Sequence, residues 1–290
     1  MMLQIGSAFK QARLDKNMRQ KEVAKGILSV PQLSKFENNK SQITADKFFL
    51  LLDRINVTTT EFQVVYLNNE LYNQSSIIKN IADAYYQGNI LHLQSLLRDQ
   101  IKLYEIFGSL RFYHNQIWIQ QFIRGLQNLP YDHTEVSKIY HYLTNVENWG
   151  SYEIVLFSNL SFAFNLTQLK QLSRTAIKKI DIYRNKGVFS NLYHLTATLL
   201  GNLTTIFIDN DELDLANKML HETDKLLKDT DFLSEKIHHQ FRQGIYLIKL
   251  GRIEEGKNLA EKSIHQLISF ELFDLAQYFK KELEGYLPQK

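Results

Sequence analysis

Few side chains in this 290-residue sequence are placed to make or break bonds, but several are placed to grip. Arg19, Gln20 and Lys21 are followed, after a turn too brief to be a linker, by Gln32, Ser34, Lys35 and Lys40. A glutamine can read an adenine edge bidentately, and a lysine can reach a guanine or a phosphate. Contacts from arginine and lysine to phosphates position a protein on a duplex without reading its sequence. Reactive chemistry lacks its parts. There is no cysteine, and the nine histidines make no HExxH or other metal spacing. His238 and His239 are adjacent, so on a helix they diverge by about 100°. Glu254-Glu255 and Asp209/Asp211 fall at turns, where the helix N-terminal charge accounts for them. No G-x-S-x-G, phosphate-binding loop or dinucleotide fingerprint occurs. The sequence reads as a binding protein and not an enzyme, with no cofactor and no metal.

The gripping residues need two short helices to hold them. In the first, Val23, Ala24 and Ile27 point inward. In the second, Ser29 is an N-cap and Pro31 falls in the first turn, where a missing N–H costs nothing. Leu33 and Phe36 point inward there, with Val30 a further candidate, which leaves Gln32, Ser34 and Lys35 outside. That arrangement is a helix-turn-helix offering its second helix to a DNA major groove. A helix from Ile5 to Lys16 precedes it, with Ile5, Phe9, Ala12 and Leu14 on its apolar side. Thr44 caps a fourth helix carrying Phe48, Leu51, Leu52 and Ile55, and Thr60 caps a short fifth through Phe62 and Val65. Residues 1–66 thus form one DNA-binding domain of five helices. They carry ten Lys and Arg against six Asp and Glu, whereas residues 67–290 carry twenty-four against twenty-five. A basic head on a neutral body suits a polyanion, although a merely solvated charged surface accounts for the numbers equally well.

From about Tyr66 the pattern changes to paired helices with short connections. Three prolines and twelve glycines are few for this length, so the whole chain reads as all-α. No run approaches the eighteen apolar residues of a membrane span, and the start lacks a signal-peptide core, which points to the cytoplasm. Gly88-Asn89-Ile90 with Leu93 and Leu97 is echoed by Gly251-Arg252-Ile253 with Gly256 and Ala260. A weaker copy is Asp211-Glu212-Leu213 with Ala216 and Leu220. These resemble the turn and second helix of a tetratricopeptide repeat, at a spacing of forty where thirty-four is standard. Helix pairs that cannot bury their faces alone stack into a solenoid with a concave, ligand-binding surface. Asn191, Tyr193, Tyr246, Arg111 and Arg124 are candidates to line it, the asparagines and arginines for a peptide's backbone and carboxylates. Capping, core packing and surface snorkelling are the competing roles.

The order of helices, Gln20-x-x-Val23-Ala24 and Leu33-Ser34-Lys35-Phe36-Glu37 resemble the phage-repressor helix-turn-helix, often called the XRE family. The stretch Gly26 to Glu37 resembles more closely the Rgg/GadR/MutR regulators, in which a helical repeat domain follows. The resemblance implies that Gln20 contacts a phosphate, that Gln32, Ser34 and Lys35 face the major groove, and that Arg13 and Glu37 form an internal salt bridge. Asn148 to Asn159 resembles a motif of the Rgg repeat domain whose final asparagine faces the groove, so Asn159 is the first peptide-binding candidate, with Phe157 beside it, for which core packing is the competing role. Two positions depart from the family pattern. Asn38-Asn39 replaces a frequent Arg-Gly, although Asn39 can still adopt the left-handed conformation of a helix end. Ala45 stands where some members carry a cysteine that links two DNA-binding domains, so no such disulfide can form here.

The expectation is therefore a homodimeric transcription regulator. Residues 1–66 would bind double-stranded DNA, and the repeats of residues 67–290 would bind a short signalling peptide, as in quorum sensing, and dimerise. The apolar residues Phe270, Leu272, Phe273, Leu275, Tyr278 and Phe279 suit the dimer contact. Two alternatives stay open: a regulator with a small-molecule or protein effector, and a helical-repeat scaffold that binds no DNA.

Overall fold

The structure, a computed structural model, describes residues 4–67, 74–184 and 190–288, and every described element is helical. The chain divides into two compact units, residues 1–89 and 90–290.

The first unit begins with α1 (Ile5–Asp15), α2 (Gln20–Ala24), α3 (Val30–Glu37) and α4 (Ala45–Arg54). A single turn, α5 (Thr59–Glu61), runs on into a π-helical stretch, Phe62–Leu67, and α6 (Gln74–Tyr86) belongs to the same unit. The division between units thus follows α6, whereas the change of hydrophobic pattern falls near residue 66. Phe9, Leu33, Phe36, Leu51, Ile55 and Phe62 form the core, each at most 5% exposed. Phe48 joins them with its ring 5.2 Å from that of Phe62 and 6.3 Å from those of Phe9 and Phe36. Three local expectations need correction. Thr58, not Thr60, caps α5, its hydroxyl accepting from the Glu61 amide. Leu14 is 47% exposed and Val30 39%, because α1 and α3 each turn only one narrow face to the core.

The second unit holds α7 (Ile90–Phe107), α8 (Leu110–Leu126), α9 (His133–Asn145), α10 (Ser151–Leu160) and α11 (Leu166–Arg184). It ends with α12 (Ser190–Asp209), α13 (Leu213–Leu227), α14 (Leu233–Lys249), α15 (Ile253–Ser269) and α16 (Phe273–Tyr286). Helices α8, α10, α12, α14 and α16 pack one on the next as one layer, with α9, α13 and α15 against it. The turns are copies of one another. Gly88, Asp211, Gly251 and Glu271 all have φ between 57° and 83°. At each, the following amide donates to the carbonyl five residues back, at 2.8–3.0 Å. This closure satisfies two of the last carbonyls of the helix it ends. Where α14 crosses α15 the spacing is set by Gly244 and Gly256: a Cβ on Gly256 would stand 2.4 Å from the Gly244 carbonyl oxygen. Among the described residues no helix is long and apolar enough to cross a membrane.

Candidate nucleic-acid interface and ligand groove

The geometry of the first unit starts from a buried carboxylate. Glu37, 1% exposed at the end of α3, accepts from Arg13 Nε at 2.6 Å and from Nη2 at 2.9 Å. Arg13 is itself only 6% exposed, and its Nη1 donates to the Met18 carbonyl at 2.6 Å. Gln20 Nε2 donates to the same carboxylate at 2.7 Å. One side chain of α3 thereby fastens α1 and α2. Pairs held this way are charge-assisted and bidentate, the stronger class of hydrogen bond. Gln20, a candidate DNA contact, thus already spends its amide N–H inside the domain.

The outer face of α3 carries Gln32 and Lys35 exposed and Ser34 half-buried, with Lys40 exposed just beyond. Ser29 Oγ accepts from the Gln32 amide at 3.3 Å, and Gln32 Oε1 in turn accepts from the Ser29 amide at 3.0 Å. This reciprocal box satisfies two N-terminal donors of α3. Asn39, at φ 56°, ends the helix, and its Oδ1 accepts from the Ser7 amide at 3.3 Å. Arg19 and Lys21 are exposed at the start of α2, where the Arg19 amide donates to Glu22 at 2.7 Å. Arg54, which sequence reasoning passed over, donates from α4 to the carbonyls of Glu22 and Lys25 and so fixes the turn between α2 and α3. Its position as the last residue of α4 was the available signal, since cations there favour carbonyl ends.

In the second unit the candidates separate. Phe157 is fully buried, its ring 5.9 Å from both Trp149 and Phe164, so it builds the core and not the groove. The motif around it is structural: Trp149 Nε1 donates to the Leu143 carbonyl at 3.0 Å, and Glu153 accepts from the Gly150 amide at 2.7 Å and from Tyr142. Nearby, His114 Nδ1 lies 2.6 Å from the Tyr152 hydroxyl, and burial pushes this imidazole down to about 4. Arg124 is a strap, its Nε donating to the Pro130 carbonyl at 2.6 Å. Arg111 lies over the Phe112 ring, Tyr193 beside Phe232, and Tyr246 is half-buried on α14. Asn159 is half-buried on α10, next to Ser158, whose hydroxyl accepts from Asn202 of α12 at 3.0 Å. The side chain of Asn191 lies outside the described residues.

A separate cleft of about 260 Å³ lies between α12, α13 and α14. Gly201, Asn202, Glu235, His238, His239 and Arg242 line it. Burial and the neighbouring Arg242 cation hold His238 down to about 4, and burial lowers His239 as well, against the opposing pull of Asp224. Both imidazoles are neutral at pH 7. The recurrence Glu235, His238, His239, Arg242 on one helix face was the sequence signal for this cleft.

Residues 93–281 match the family model described as HTH-type transcriptional regulator Rgg, C-terminal domain. The chain belongs to the Rgg family. Its residues 9–62 separately match a helix-turn-helix model, which accounts for the head of this Rgg regulator. A crystal structure assigned as a transcriptional regulator from Listeria monocytogenes EGD-e is 22% identical, with a TM-score of 0.83 over 98% of this chain and 97% of that one. The Streptococcus dysgalactiae SHP pheromone receptor Rgg2 is also 22% identical, with a TM-score of 0.78 over 98% and 100% of the two chains. A bacterial peptide pheromone/receptor complex aligns over the whole of both chains at 16% identity and a TM-score of 0.73. At these identities the solved structures establish the Rgg fold, an all-α chain with an XRE-type helix-turn-helix ahead of a helical repeat domain.

Proposed function

We propose that this Rgg regulator binds operator DNA through α3 and that a short signalling peptide, bound along the layer containing α10, α12 and α14, controls that binding. The reading rests on one observation above the rest: α3 presents Gln32, Ser34 and Lys35 outward on a helix clamped from behind by Glu37. A rigid helix with exposed amide, hydroxyl and ammonium groups is what groove readout requires. Arg19, Lys21 and Lys40 supply phosphate contacts. Support for a peptide effector comes from solved structures of the same fold, which include a pheromone receptor and a peptide pheromone/receptor complex. The protein works as a homodimer in the cytoplasm, by binding and not by catalysis. Phe270, Phe273 and Tyr278, each more than half exposed, offer the self-association surface. Paired half-sites then multiply the affinity of one recognition helix. For control, the peptide must bind the two states of the dimer with different affinity, since equal binding shifts nothing.

The test is binding of the full chain to the DNA upstream of its own gene across a salt series, with and without synthetic peptides encoded nearby. Specific, salt-dependent binding that one peptide strengthens, weakens or shifts in footprint is the expected result. Specific binding indifferent to every peptide would replace the peptide by another effector. Absence of specific binding in a genomic selection would remove the regulator and leave a scaffold.

A further inference from the structure

The cleft contains a guanidinium whose charge the fold does not neutralise by contact. Arg242 projects from α14 against α12, and its room there comes from Gly201: a Cβ on that residue would stand 2.7 Å from Arg242 Cζ. Among the described residues Arg242 makes no hydrogen bond and no ion pair within 4.0 Å. Glu282 of α16 acts on it electrostatically from beyond that distance, and burial raises the pKa of that carboxyl above the ordinary carboxylate range. The carboxylates beside the cleft have imidazole partners of their own. Glu235 pairs with His194 Nδ1 at 2.6 Å, and Asp224 with His239 Nε2 at 2.7 Å. His238 is neutral, so Arg242 is the permanent cation among the lining residues.

A partly desolvated arginine with donors to spare is costly to keep unless something planar and anionic completes it. With Glu235 and Glu282 near, a doubly charged phosphate meets about twice the repulsion that a single carboxylate does. We propose that Arg242 clamps the C-terminal carboxylate of an extended peptide, with Asn202 and Thr198 flanking it on α12. This rests on the peptide reading above and adds the end of the ligand that is held, and by which residue. Recognition of a free C-terminus would exclude internal segments of longer proteins, which lack one.

The experiment uses two libraries of random octapeptides, identical except that one ends in the free acid and the other in the carboxamide. Each is passed over the immobilised full chain, and the best-retained sequences are re-made in both forms for affinity measurement by fluorescence polarisation. Free acids should be retained, and amidation should weaken the same sequence about 10- to 100-fold, the range for a hydrogen-bonded charged contact. Arg242→Gln should bind acid and amide alike, at the level the amide has on the unaltered protein, and Arg242→Lys should recover part of the difference. Should Arg242→Gln fail to fold, Glu282→Gln carries the test: removing the competing carboxylate tightens acid binding and leaves amide binding unchanged. Equal retention of acids and amides, or an amidation penalty that survives in Arg242→Gln, overturns the clamp while the peptide reading stands. Retention of neither form by the unaltered protein overturns both.

Discussion

Replacing Glu37 by glutamine should lower the unfolding temperature of the DNA-binding head sharply and leave that of the repeats in place. The carboxylate receives three charge-assisted bonds, two from Arg13 and one from Gln20, at 2.6–2.9 Å, and it is 1% exposed. Glutamine keeps the shape but leaves the Arg13 guanidinium, 6% exposed, without its counter-charge. Stranding one member of a buried pair costs about 3–5 kcal/mol. In a domain of 60–100 residues each kcal/mol moves the midpoint by about 4–8 °C, so even the lower cost displaces it by roughly 12 °C or more. Differential scanning calorimetry of the full chain reads this directly, as a head transition that falls while the repeat transition stays. The paired change Arg13→Met with Glu37→Leu should recover most of the loss, because a packed apolar pair of similar volume often matches a buried ion pair. A head transition within a degree or two of the original in Glu37→Gln, or a double variant as unstable as the single, would refute the reasoning.

Three further outcomes are expected. Lys35→Ala should weaken DNA binding and, if its contact is a phosphate, flatten the slope of log affinity against log salt by about 0.9, measured by anisotropy titration. Gly256→Ala should destabilise the α14–α15 crossing by about 1–3 kcal/mol in urea titration, because its Cβ meets the Gly244 carbonyl oxygen at 2.4 Å and backbone must move. The imidazoles of His114 and His238 fall from 6.5 unfolded to about 4 folded, so the unfolded chain binds protons first on acidification. Their contribution is intact above pH 6.5 and lost as pH falls toward 4, and His114→Gln should flatten the melting temperature across that window.

Helix positions and the head were legible because amphipathic periodicity is strong there and the caps are chemically explicit: Ser29, Pro31 and Asn39 each sit where their side chains dictate. Finer placement was not. Thr58 and Thr60 have the same chemistry, and only the chain direction after Val57 decides which one caps α5. The fourth copy of the repeated turn, Glu271-Leu272-Phe273, hid because glutamate is rarely left-handed, yet its φ is 60°. Phe157 was a groove candidate for which core packing was the competing role; helix α10 is apolar almost all round, and only tertiary packing chose its buried face. Arg242 was invisible for the opposite reason: its importance lies in what does not touch it, which no spacing encodes.

The reciprocal cap of α3 gives Gln32 a second life. Its carbonyl oxygen is occupied in the free protein, so engaging a base through that oxygen is an exchange between two bonds and not the gain of a new one. Under the proposed function, a favourable base would draw the side chain off the Ser29 amide, while an unfavourable one would leave it at rest with nothing stranded. Such a reader rewards the right sequence modestly and punishes the wrong one gently. In the proposed homodimer, discrimination would accumulate over two half-sites, and the head would remain able to leave DNA.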